Sequence, residues 1–217
     1  MDGQKVALVT GASRGLGAAL AEGLGRRGWH VVAVARTSGA LEELDDRIRS
    51  GGGTATLAPM DVTRPDAMIQ MTQALHGRWG GIDLWAHCAI YAAPLSPAAQ
   101  TDPKDMGRAI DTNIAATHGL IQLVDPLLRA RQGQAVFFDD PHAGEKFYAA
   151  YGATKAAQIA LAQSWQAETG RIGPAVVIDR PAPMPTATRA RFHPGEDRGS
   201  LTPCSVEAAR VLSTLLG

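Results

Sequence analysis

Cysteine is scarce: Cys88 and Cys204 are the only two in 217 residues, they stand far apart, and neither sits in a metal-binding spacing. A reducing cytoplasm is the expected setting. Excess charge of one sign is also missing, since 21 basic residues balance 21 acidic ones with no long like-charged run, which removes the electrostatic footprint of a nucleic-acid binder. The expected partner is a small molecule. No apolar stretch approaches the ~18 residues of a membrane span, and the polar start MDGQK leads directly into an apolar segment. A soluble, unprocessed chain without membrane partners is expected. Its length and 45% hydrophobic content suit a single α/β domain over 1–217 with one large core.

What is present begins with Lys5 to Gly17, KVALVTGASRGLG. Val6 to Val9 is apolar on both faces, as in a central parallel strand covered by helices on either side. The turn Gly11, Ser13, Arg14, Gly15, Leu16, Gly17 then opens a helix. Gly11 can adopt backbone angles a Cβ forbids, Gly15 and Gly17 permit close approach, and the helix start offers N–H groups to a pyrophosphate. A tight turn without a ligand is the alternative, but strand, turn and helix coincide here, which is the context the pattern requires.

The second strand, His30 to Arg36, ends on Ala35 and Arg36. In a dinucleotide fold an acid ~20 residues past the glycines binds a free ribose 2′-hydroxyl, whereas an arginine accommodates a 2′-phosphate. Arg36, with Arg14, therefore favours NADP(H) over NAD(H), against the alternative of two solvated surface arginines. Leu41, Leu44 and Ile48 mark a helix over Ser38–Arg49, and a third strand over Thr54–Met60 leads to Asp61-Val62 and a helix over Pro65–Trp79. Further strands are expected at Ile82–Ala89, Gln134–Phe138 and Ala175–Asp179. One long helix or two shorter ones should cover Pro103–Ala130, with Ile110, Ile114, Leu120, Leu123, Val124, Leu127 and Leu128 inward. A last helix over Ser205–Leu216 should turn Val206, Ala209, Leu212 and Leu216 inward.

Tyr151-Gly-Ala-Thr-Lys155 is the strongest chemical signal. Four residues apart on a helix, the two side chains share a face, and a cation beside a phenol favours the phenolate. Such a tyrosine can exchange a proton with an alcohol or ketone oxygen.

The glycine turn, Asn113, the Tyr151–Lys155 pair and the proline-rich stretch Pro181–Thr186, in that order, resemble the short-chain dehydrogenase/reductase family over nearly the whole chain. The resemblance implies a Rossmann-like doubly wound parallel sheet of six strands in the order 3-2-1-4-5-6, the family's seventh strand being absent. It also implies a reaction interconverting a carbonyl and a secondary alcohol. Tyr151 would be the acid or base, Lys155 its electrostatic partner and ribose ligand, and Asn113 would bend its helix and support a proton relay through a water. Asp61 and Val62 would meet the adenine, although Asp61 equally suits a simple turn. Ala89 survives from the family's Asn-Asn-Ala-Gly, whereas His87-Cys88 and Ile90 replace the rest. Ile90 must point away from the cofactor or the cofactor must shift, His87 would anchor neighbouring strands, and Cys88 would be a small buried hydrophobe. Pro181, Met184 and Thr186 would border the nicotinamide and pyrophosphate.

Asp140 stands where the family has a serine that donates to the substrate oxygen; since a carboxylate only accepts, either it turns away or bonds its own loop, the simpler case because Pro141 follows and the loop is short, or burial keeps it protonated so that it donates. Residues 187–204 are expected as a short loop on the substrate side. The alanine-rich helix after Tyr151 would lie at a homodimer or homotetramer interface or pack tightly within one chain. Two other readings compete. One is a nucleotide-binding protein without efficient chemistry. The other is a divalent metal site from His87, Cys88, Asp139, Asp140 and His142, which strand alternation opposes because His87 and Cys88 face opposite ways.

Overall fold

Strand β1 (Val6–Thr10) is buried along its whole length, as an all-apolar run requires when helices cover both faces of a sheet. The computed structural model describes residues 3–217, so Met1 and Asp2 of the polar amino-terminal stretch lie outside the described residues. β1 lies between β2 (His30–Ala35) and β4 (Leu84–His87), with Val9 opposite Ala33 on one side and Ala86 on the other. With β3 (Thr54–Pro59), β5 (Gln134–Phe138) and β6 (Ala175–Asp179) the sheet has six strands, all parallel, in the order β3-β2-β1-β4-β5-β6.

Alternation along the strands divides the core in two. Ala7 and Val9 face one layer, made with Leu20 and Leu24 of α1 (Gly15–Gly25), Leu41, Leu44 and Ile48 of α2 (Ser38–Ser50), and Val211 and Leu212 of α8 (Cys204–Leu216). Val6 and Leu8 face the other. Its helices are α3 (Pro65–Trp79), α5 (Ala116–Arg129) and α6 (Ala149–Thr169), contributing Met71, Leu75, Leu120, Val124, Ile159 and Trp165. α4 (Pro103–Ala109) and α7 (Ala187–Phe192) lie outside these layers in sequence segments that reach the site.

Three expectations are corrected. The segment 103–130 holds the two shorter helices of one alternative, but α4 passes into α5 through an unexpected π-helical stretch, Ile110–Ala115. A π turn shifts the phase of the helix, so an unbroken 3.6-residue projection misplaces the residues before it. Ile110, expected inward, is 41% exposed. In α8 the buried face is Glu207, Ala208, Val211 and Leu212, while Val206 and Ala209 face solvent. Glu207 sets that phase by accepting the Ala182 N–H at 2.9 Å and pairing with Arg210. Gly23 of α1 makes room for Leu212, because a Cβ there would sit 2.7 Å from Leu212 Cδ1. Finally, 187–204 is not all loop. It contains α7 and a 3-10 turn, Arg198–Ser200, because Thr186 caps α7 by accepting the Arg189 N–H at 3.1 Å.

Candidate active site

The chain leaves β1 towards β2 on one side and reaches β4 on the other, so a crevice opens at the carboxyl ends of these strands, where α/β sheets seat ligands. A cavity of about 340 Å³ lies there. Its floor is the β1–α1 turn. Gly11 has φ +79°, and a Cβ on it would stand 2.6 Å from the Ala89 nitrogen; a Cβ on Gly17 would stand 2.4 Å from the Gly11 oxygen. Only glycine fits either place. Arg14 precedes α1 with no side-chain cap, so the first-turn N–H groups are not satisfied by a local side chain.

Every residue assigned to cofactor binding from the sequence lines this cavity: Gly11, Ser13, Arg14, Gly15, Leu16, Gly17, Arg36, Asp61, Val62, Ala89, Tyr151, Lys155, Pro181, Met184 and Thr186. Arg14 and Arg36 are exposed, and among the described residues neither forms an ion pair. Asp61 makes the local turn that was its alternative reading, its Oδ1 accepting from Thr63 N–H at 3.0 Å and Thr63 Oγ1 at 2.9 Å, while still bordering the cavity. Ile90 packs against the cluster of Ala92, Tyr148, Tyr151 and Phe192.

At the other end Asp140 does not turn away. The Tyr151 hydroxyl donates to Asp140 Oδ2 at 2.6 Å, and Asp140 Oδ1 lies 3.1 Å from His142 Nε2. The short loop from β5 to α6 brings the carboxylate over the first turn of α6, and His142 braces it there. Burial, and then Asp140 beside it, pushes the Tyr151 phenol far above its ordinary value. The expected phenol–ammonium partnership is displaced. Lys155 Nζ donates instead to Gln158 Oε1 at 2.7 Å, and burial lowers its pKa to about 8.

Asn113 is fully buried, off the cavity. Its Oδ1 accepts the Tyr91 N–H at 2.7 Å, and its amide donates to the Tyr91 carbonyl at 3.0 Å and to Thr154 Oγ1 at 2.9 Å. Both amide hydrogens are thus committed within the chain. It clamps the π stretch to α6 and to the strand-end loop. His87 sits between Thr10 Oγ1 at 2.8 Å and Thr117 Oγ1 at 3.0 Å, facing the layer opposite to that of Cys88, whose thiol burial pushes up to about 12. Among the described residues no group of three or more His, Cys, Asp or Glu side chains is arranged to hold a metal ion. No helix there is long and apolar enough to cross a membrane.

Sequence reading missed Gln158, Phe192 and the brace of Glu207 on Ala182, and named His142 only as a candidate metal ligand. Only Gln158 had a visible signal, lying three residues after Lys155 on the same helix. Phe192 closes the wall over Tyr151, ring centroids 4.8 Å apart, and Tyr148 stacks on His142 at 4.1 Å.

Comparison with known proteins agrees with the fold. An uncharacterized oxidoreductase of Staphylococcus epidermidis is 32% identical over 186 residues, 84% of this chain and 79% of that protein. Another, from Mycobacterium tuberculosis, is 29% identical over 70% of this chain; the chain spans 59% of that relative's length. The crystal structure of a metagenomic short-chain oxidoreductase in complex with NADP superposes with a TM-score of 0.83 at 25% identity, covering 98% of this chain and 91% of that one. A short chain dehydrogenase family profile matches residues 5–197, and the chain belongs to that family of oxidoreductases.

Proposed function

We propose that the chain is an NADP(H)-dependent oxidoreductase that moves hydride between the nicotinamide and a small-molecule carbonyl or secondary-alcohol carbon, with Tyr151 as acid or base. One observation carries the reading. The uncapped start of α1, the exposed Arg14 and Arg36, and the buried Tyr151–Lys155 face of α6 all border one cavity. The turn fits a dinucleotide, since glycine alone fits at Gly11 and Gly17 and the start of α1 has no side-chain cap, so its first-turn N–H groups face the cavity end that a pyrophosphate would take. The two guanidinium groups suit a 2′-phosphate, and NADP in the metagenomic relative favours the same choice.

The bound nicotinamide would supply or accept the hydride. Lys155 would hold the adjoining ribose through its ammonium, with Gln158 fixing that nitrogen. Tyr151 would keep its proton at the reacting atom, and Asn113 would hold the π stretch against Thr154, one residue before Lys155. Phe192 and Tyr148 would exclude water from the tyrosine.

The test is a fluorescence titration with NADPH and NADH, followed by absorbance assays of NADPH oxidation over a panel of carbonyl and imine compounds. Tighter NADPH binding with turnover of any member supports the reading; absence of binding overturns it. The Tyr151–Asp140 hydrogen bond favours a second reading, a nucleotide-binding protein without turnover, because it occupies the proton donor. NADPH binding with no oxidation across the whole panel would establish that one.

A further inference from the structure

This inference rests on the hydride-transfer reading and concerns the bond that is reduced. Asp140 is a braced anion at the reacting end of the cavity. Its Oδ2 accepts the Tyr151 hydroxyl at 2.6 Å, its Oδ1 lies 3.1 Å from His142 Nε2, and His142 Nδ1 lies 2.7 Å from Glu145 Oε2. The nearby cations have other partners: Lys155 donates to Gln158, Arg189 to Glu196, and Arg180 to Asp139. His142, the remaining neighbour, is shared between Asp140 and Glu145.

Such a site is poorly made for a ketone. As hydride adds, a carbonyl oxygen gains negative charge, which a carboxylate beside it opposes, and the phenol that should give it a proton already donates to that carboxylate. A protonated imine has the reverse needs. It begins positive, becomes neutral as hydride adds, and brings its own N–H, so it requires no proton donor in the hydride step. The aromatic rings of Tyr151 and Phe192, which both line the cavity, also suit a flat, partly desolvated cation.

We propose that this site reduces carbon–nitrogen double bonds, taking a small cyclic imine as its iminium ion, with Asp140 as the anion that accepts the iminium N–H. The neutral imine gains a proton from water and is held in the site as the more electrophilic iminium. The iminium carbon then takes hydride from reduced nicotinamide, so that a C–H bond forms and the C=N π pair becomes the nitrogen lone pair. A neutral amine and oxidised NADP⁺ result. The carboxylate works through the protonation equilibrium: it keeps as iminium a substrate that would be more largely neutral in water.

The experiment compares two molecules of one shape, 2-methyl-1-pyrroline and 2-methylcyclopentanone, with NADPH and three proteins: the parent, Asp140→Asn and Asp140→Ser. The parent is expected to favour the imine in kcat/KM. Asp140→Asn should lower imine kcat/KM roughly 10-fold, the scale of losing a charge-assisted contact at a carboxylate that is 41% exposed, and Asp140→Ser should raise ketone reduction. Opposite responses on the two substrates cannot come from a damaged fold. Without turnover, calorimetry of 2-methylpyrrolidinium binding to the NADP⁺-loaded protein should show the same weakening in Asp140→Asn. Ketone reduction with the imine untouched, or an equal loss on both substrates in Asp140→Asn, overturns this inference and leaves the hydride-transfer reading standing. NADPH binding with neither substrate reduced and with 2-methylpyrrolidinium binding unchanged in Asp140→Asn overturns this inference, and no oxidation across the whole carbonyl and imine panel overturns the hydride-transfer reading as well.

Discussion

A phenol that already donates to a carboxylate at 2.6 Å must break that bond before it serves a substrate oxygen, and burial holds the Tyr151 proton more firmly still. Tyr151→Phe is expected to abolish carbonyl reduction while leaving NADPH affinity within about twofold, since general acid–base catalysis contributes roughly 10²–10⁴-fold. Initial rates and a fluorescence titration check both halves; a variant retaining most of the parent rate would remove Tyr151 as the proton group. Arg36→Ala belongs to the opposite end of the cavity. Losing a charge-assisted contact to the 2′-phosphate should weaken NADPH binding roughly 10- to 100-fold and NADH binding hardly at all, and equal weakening of the two would count against that contact. These residues were legible because motif spacing and chain position mark them. The bond from Tyr151 to Asp140 was not, because a short loop decides whether the carboxylate turns in or out, and sequence spacing does not report the His142 brace.

Helix α4, the π stretch and α5 show what an element can hide. The apolar pattern of 103–130 revealed the helix but not the wider turn inside it, since a π turn comes from side-chain clamps rather than from periodicity. Asn113 is that clamp, and all three of its hydrogen bonds reach other parts of the chain. Asn113→Ala would leave buried Tyr91 backbone groups without partners and should cost about 2–3 kcal/mol. Urea denaturation measures this, and an unchanged midpoint would show that the clamp contributes nothing. α7 was hidden for a different reason. Prolines and charges around it read as loop, and one hydroxyl, that of Thr186, starts the helix that carries Phe192 over Tyr151.

Across the whole molecule, the six strands were legible because parallel strands buried on both faces read as apolar runs separated by helical ones, whereas their order was implied by the family resemblance. The polar thread crossing that apolar interior was not, because its members lie tens of residues apart. Lys155 donates to Gln158, and Gln158 Nε2 donates to Thr117 Oγ1 at 3.0 Å; Thr117 faces His87 Nε2, whose Nδ1 faces Thr10 Oγ1. Trp85 Nε1 also donates to Thr10 Oγ1, at 3.3 Å. The thread joins β1, β4, α5 and α6, and one set of proton positions satisfies it. The Thr117 hydroxyl gives its hydrogen to His87 Nε2, and His87 gives its Nδ1 hydrogen to Thr10. Burial, and then the Lys155 cation, lowers the His87 pKa to about 3, so the imidazole is neutral in this thread. The sign of the consequence follows from proton binding. Between the unfolded value near 6.5 and the folded value of about 3, the unfolded chain binds more protons than the native one, so stability is full above 6.5 and falls as pH drops through that window. His87 alone should remove roughly 2–3 kcal/mol between neutrality and about pH 4.5. His30, whose pKa burial also lowers, adds to the fall in parent and variant alike, so the difference between them isolates His87. His87→Asn keeps a polar group on the strand but removes the titration. Its urea midpoint should fall less steeply with acid than the parent's, whatever its stability at neutral pH, and parallel curves would show that His87 already carries its proton in the native molecule.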